Sequence, residues 1–224
     1  ERVTVANGSI YLDGEKIDNA LTEQVLRFIE AGVDDWKPLV MFFENVQSNP
    51  NDHSREQLYA WLATEAFTIT PDGLIVGYKG VRKTGDGLFS INSGRAIVNG
   101  EVHEGAIPQP FGGVVEMPRS EVQHDPSRGC HTGLHVGTYG YAKGFAQGAL
   151  LEVHVNPRDV VSVPTDCSAQ KMRTCRYSIV KLIDVPYTSP VLYGGDYSGG
   201  EWGDGEEWDD SCDDCGEPIE DCDC

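Results

Sequence analysis

The chain has 224 residues, 39% of them hydrophobic, and a formal net charge of −19. That is enough for one large or two small domains with a proper core. The acidic balance disfavours the phosphate-binding surface a nucleic-acid partner needs, and no apolar run approaches the roughly 20 residues that span a bilayer.

Residues Val3–Lys16 read as a hairpin: VTV and SIYL are strand-like, with Asn7-Gly8 and Asp13-Gly14 as turns. Asn19–Ala31 is expected to be a helix on the spacing of Leu21, Val25, Leu26 and Ile29, stopped by Gly32. Trp36–Gln47 is a second helix, with Leu39, Val40, Phe42, Phe43 and Val46 apolar. Ser54–Thr64 is a third, with Ser54 and Gln57 in a capping-box pattern and Leu58, Trp61 and Leu62 as its buried stripe. From Phe67 the period changes to two. FTIT and LIVGYKGV flank Pro71-Asp72-Gly73 as a hairpin. Ser90–Val102 gives two strands around Asn99-Gly100, Val114–Met117 another, Leu150–Val155 and Val160–Val163 two more, and Tyr177–Asp184 the last, with a helix over Tyr139–Gln147.

The fold class is therefore α+β. It divides into a hairpin plus small helical module over residues 1–66, a mixed, mostly antiparallel sheet body with a short helix over 67–190, and an acidic Gly/Trp/Cys-rich tail over 191–224, expected to be disordered. From Gly194 to Cys224 there are 13 Asp or Glu and no Lys or Arg, leaving 23 acids against 17 bases in the rest. A basic protein surface is the natural partner for such a tail. The opening residues ERVTVANGSI carry neither a basic patch nor an apolar stretch of the secretory kind. An intracellular protein with reduced thiols is expected, associated with membrane only peripherally or through a partner.

Two stretches carry candidate chemistry. Cys212, Cys215, Cys222 and Cys224 crowd the last 13 residues, and the Cys-x2-Cys knuckle followed by Gly216 suits tetrahedral zinc. Within Asp125–Asp166, Arg128, Cys130, His131 and His135 fall among Gly129, Gly133 and Gly137, followed by Tyr139. Reactive side chains on a Gly-rich turn backed by regular elements are a common site layout; the structural alternative is that they cap and pack a β-rich core. If the segment is extended, His131 and His135 share one side and Cys130, Thr132 and Leu134 the other. His124, Asp125 or His154 could then supply a third metal ligand.

The runs CHTGLH at Cys130–His135, Tyr139–Tyr141, VNPRDVVSVPTD at Val155–Asp166 and CRY at Cys175–Tyr177, with FTITPDGLIVGYKGVR at Phe67–Arg82, resemble the RIIB-like proteins of bacteriophages. The resemblance covers roughly residues 54–183. It implies a phage accessory protein of the host cytoplasm, tied to rapid lysis and escape from prophage-encoded exclusion, with a larger RIIA-like partner, association with the host membrane, and no firm biochemical activity. A second resemblance, of shape, is to ADP-ribosyltransferase-like folds, in the Gly133–Val136 strand, the helix with Tyr141-Ala142 and the strand from Leu150. It implies an enzyme or nucleotide-derivative binder, with Arg128, His131 and Tyr139 lining an NAD cleft. A virion-associated structural component is a third reading, and an oligomer fits any of the three.

The electrostatics make one direct prediction. A gel-shift assay with duplex DNA at physiological salt should show no retarded band, and tight, salt-sensitive binding would overturn this reading of the charge.

Overall fold

A computed structural model describes residues 3–6, 9–16, 37–62 and 68–183. The helix expected over Asn19–Ala31 and the whole of the tail, including its four cysteines, lie outside them. Near the start, β1 (Val3–Ala6), β2 (Ser9–Leu12) and β3 (Glu15–Lys16) form an antiparallel three-stranded sheet, with Val3 opposite Leu12 and Leu12 opposite Glu15.

Helix α1 (Lys37–Gln47) buries Leu39, Phe42, Phe43 and Val46, an i, i+3, i+4, i+7 stripe. Helix α2 (Asp52–Leu62) buries Leu58 and Trp61. It starts two residues earlier than the sequence pattern indicates, so Ser54 and Gln57 are not a capping pair. Ser54 Oγ instead donates to the Val161 carbonyl at 2.6 Å, and Gln57 Oε1 accepts from the Val163 amide at 2.7 Å. Both side chains satisfy backbone groups of a neighbouring strand.

Nine strands follow: β4 (Ile75–Thr84), β5 (Gly87–Val98), β6 (Glu101–Pro108), β7 (Val114–Glu116), β8 (Leu134–Gly137), β9 (Gly148–Val155), β10 (Val160–Ser162), β11 (Lys171–Thr174) and β12 (Arg176–Ile183). A short helix, α3 (Tyr139–Gly144), sits between β8 and β9. The order is β10-β11-β8-β4-β9-β12-β7-β5-β6, with an additional β4–β5 pairing, and each pairing between these strands is antiparallel. That extra pairing closes a ring of five strands, β4-β9-β12-β7-β5. The β5–β6 hairpin turns at Asn99-Gly100, both with positive φ (51° and 89°), as a two-residue turn demands.

Alternation along the strands builds two apolar layers. Ile75, Val81, Leu151, Val153, Val155, Tyr177 and Ile179 face one core together with the stripes of α1 and α2. The helices expected to form a module of their own thus share the sheet's core. On the opposite face Val76, Tyr78, Leu150 and Ile183 pack with Ala142 of α3.

Two local differences from the sequence reading have clear causes. Strand β11, KMRT, was not expected, because three of its four residues are polar; all four are nonetheless buried. Helix α3 stops at Gly144 rather than running to Gln147. Gln147 is drawn into the sheet instead, its amide donating to the Val81 carbonyl at 3.1 Å and its carbonyl accepting from the Lys83 amide at 2.9 Å.

Helix α3 can lie this close to β4 because position 80 is glycine. A Cβ there would stand 2.6 Å from the Ala142 carbonyl oxygen and 2.8 Å from the Ala146 nitrogen, both backbone atoms that cannot swing aside. Gly80→Ala is expected to destabilise the protein by about 1–3 kcal/mol. Urea denaturation checks this, and an unchanged midpoint would contradict the packing.

Candidate functional site

The Gly-rich segment that carries the candidate residues is mostly loop. Only Leu134–Gly137 is extended, so the alternation expected to place His131 beside His135 does not reach back to residue 131. Arg128 is largely exposed and lies 3.8 Å from the Asp125 carboxylate. Asp125 Oδ1 also accepts from the amide and hydroxyl of Ser127, and these bonds hold its carboxyl below the usual range. Cys130 is disulfide-bonded, which removes it as a nucleophile and departs from the expectation of reduced thiols; Cys167 and Cys175 are free, and burial pushes both thiols up. His131 Nδ1 accepts from the Thr132 amide at 2.9 Å. Tyr139, at the start of α3, packs edge-on against Tyr78 with ring centroids 5.4 Å apart. Thr138 caps the helix by accepting from the Tyr141 amide at 3.4 Å.

Among the described residues, no hydrogen bond joins Arg128, His131, His135 and Tyr139 to one another. Of the three further metal-ligand candidates, His124 packs against His53 and His154 lies 3.5 Å from Glu152. No group of three or more His, Cys, Asp or Glu side chains is placed to hold a metal among the described residues.

What organises the segment is a residue the sequence reading passed over. Arg173 of β11 is fully buried. Its Nη2 donates to the Gly129 carbonyl at 2.8 Å, and its Nη1 to the Asp125 carbonyl at 3.2 Å and to Ser162 Oγ at 3.0 Å. A guanidinium is well suited to this, because it offers five N–H donors in a fixed fork. Gly133 completes the fit. Its φ is +157°, and a Cβ there would meet Arg173 Cβ at 3.1 Å.

His135 stands directly opposite Arg173 in the β8–β11 register, and Lys171 is opposite Gly137. Burial, helped by Lys79, Lys171 and Arg173, pushes the His135 imidazole well below its ordinary value, so it is neutral at physiological pH. Lys171 is buried and pairs with Asp166 at 2.6 Å. Lys79 is half-buried. Its ammonium donates to the His135 carbonyl at 3.1 Å, lies 5.7 Å from the Tyr177 ring centroid, and is lowered by burial to about 8.

The Lys79 shift gives a pH prediction. Its cost to stability is fully present below about pH 8 and fades toward pH 10.5, where the unfolded chain also releases the proton. Lys79→Met should therefore be more stable than the natural protein at pH 7, by about 1–3 kcal/mol. The advantage should shrink as pH rises from 8 to 10. Denaturation at several pH values checks this; a constant difference would contradict it.

The described residues contain no helix long and apolar enough to cross a membrane. No solved structure matches the chain. The chain is 30% identical over 181 residues to "Protein rIIB" of Enterobacteria phage T4, a match that covers 80% of this chain and 53% of the relative. It thus spans about half the length of the curated relative it matches. The family described as Bacteriophage T4 protein rIIB matches residues 1–194, further in both directions than the motifs alone indicated. The chain belongs to the bacteriophage T4 rIIB family.

Proposed function

We propose that this is a phage accessory protein of the host cytoplasm that works through protein–protein contact, with an RIIA-like protein as partner, in lysis timing and escape from prophage-encoded exclusion. The observation that carries the contact reading is the exposed apolar surface at the β6 end of the sheet. Among the described residues β6 pairs on one side only, with β5. Edge strands normally present charge, Pro or a covering element against unwanted pairing. Here β6 carries such guards in the exposed Glu101 and Glu104 and in Pro108, but beside them stand Val102 at 57% exposure and, on the loop that follows, Phe111 at 75%. A large aromatic on a loop beside free backbone donors and acceptors has the chemistry of an interface anchor. The RIIA-like partner and the biological role rest on the family, and half of the relative's length has no counterpart in this chain.

The enzyme reading, a nucleotide-derivative binder around Arg128–Tyr139, gains less. Arg128 is engaged with Asp125 at the surface, and Cys130 is bonded.

Co-expression with the RIIA-like protein of the same phage, followed by affinity capture, tests the proposal. The double substitution Val102→Thr and Phe111→Ser should reduce capture about tenfold or more while leaving the thermal midpoint nearly unchanged. Undiminished capture would remove the β6 edge from the interface.

A further inference from the structure

Among the described residues, the charge balance beside β11 does not close. Residues alternate sides along a strand, so Lys171 and Arg173 share the face on which His135 and Gly137 stand in β8. Tyr141 of α3 overlies this face. A Cβ on Gly137 would meet Tyr141 Cδ1 at 2.7 Å, and the Lys171 ammonium is 5.8 Å from the Tyr141 ring centroid. The rim on the other side is the 123–133 loop, tied down by Arg173 itself.

Two cations, Lys171 and Arg173, share the His135 side of the sheet, while Lys79 reaches the His135 carbonyl from the other face. Against them, among the described residues, one carboxylate, Asp166, forms an ion pair with Lys171. Asp125 is near, but its side chain is 42% exposed and is shared with Arg128 and Ser127. Burying cationic groups without matching charge is expensive, and a chain of net charge −19 has no shortage of carboxylates that could have been placed here.

Two polar atoms mark where the missing charge belongs. Arg173 Nε and His135 Nε2 are both buried, and neither has a hydrogen-bond partner among the described residues. They belong to directly opposed residues. Arg173 Nε is a donor, and His135 Nε2 is a donor in one of its neutral tautomers. A water could satisfy the two atoms but would leave the charge unbalanced. An oxygen of an anion does both.

We propose that Arg173 and His135, with Lys171 beside them, form a binding site for the oxyanion of a phosphate or carboxylate group. The 123–133 loop and Tyr141 form its walls. The site is independent of the β6 contact surface, so either can fail without the other.

The test uses the full chain. Thermal midpoints are measured at pH 7.5 with rising inorganic phosphate, with acetate, and with chloride at matched ionic strength. The natural protein should show a saturable rise of about 3 °C or more in phosphate, in acetate or in both, over that in chloride, and the comparison of the two identifies the group bound. His135→Leu should lose that excess. No excess over chloride in the natural protein, or an equal excess in His135→Leu, would overturn the proposal, the latter because it would report only the general stabilisation such salts give. If His135→Leu does not fold, NMR of the natural protein with labelled histidine decides. Saturable movement of the His135 ring signals with the anion supports the site, and unmoved signals overturn it.

Discussion

A β-strand at the end of a sheet needs partners for its outward backbone groups, and β10 obtains them from side chains. Asn49 Nδ2 donates to the Pro157 and Val160 carbonyls at 2.9 and 2.8 Å, Ser54 to Val161, and Gln57 accepts from the Val163 amide. Arg119 joins the arrangement, donating to Asn49 Oδ1 at 2.8 Å, to Asn51 Oδ1 at 2.9 Å and to the Val160 carbonyl at 2.9 Å. These polar contacts fix where α2 sits. Once α2 is fixed, Leu58 and Trp61 come over the sheet, and α1 follows with its aromatic stripe. Buried polar groups contribute little net stability when satisfied and cost much when orphaned, so this edge sets position more than it adds energy. The opposite end, β6, has no such cover among the described residues, and the sheet is accordingly asymmetric: the protein's own helices close one end and leave the other exposed.

Arg173 plays the matching role for the loop that carries the candidate site. Its guanidinium is spread over backbone carbonyls of residues distant in sequence, so the loop's path is set by a residue of β11 and not by the loop's own histidines. Burial, helped by the neighbouring cations, keeps His135 neutral, and the imidazole works as a hydrogen-bonding group rather than as a charge.

The strands β4 and β9, near-continuous apolar runs buried on both faces, and β12 were legible in the sequence, as was the Asn99-Gly100 turn, because an apolar run and turn stereochemistry are both local signals. The stripe of α1 was equally plain. The start of α2 was misread because Ser54 and Gln57 have the spacing of a local cap, and nothing local reveals that they serve a strand more than 100 residues away. Strand β11 was invisible for a related reason. Lys171 and Arg173 are buried through Asp166 and the carbonyls of the 123–133 loop, and a sequence window sees only two basic residues in four. In the candidate site the residue that organises the Gly-rich loop, Arg173, lay outside the motif that the glycines marked. Cys130 read as a reactive thiol because its bonding state leaves no trace in local sequence.

The ring of five strands has a consequence for how the chain is made. Its first strand, β4, pairs with β9 some 70 residues later, and β9 in turn pairs with β12, which ends at Ile183. Until β12 has left the ribosome the ring has no closing member, and the apolar faces of β4 and β5 have only part of their core. Local hairpins such as β5–β6 can form during synthesis, but the core itself is assembled late, from contacts far apart in sequence, and such topologies fold slowly. Through that interval the nascent chain displays strand edges and apolar faces that the finished protein hides, the kind of exposure that favours aggregation until the last strand is in place.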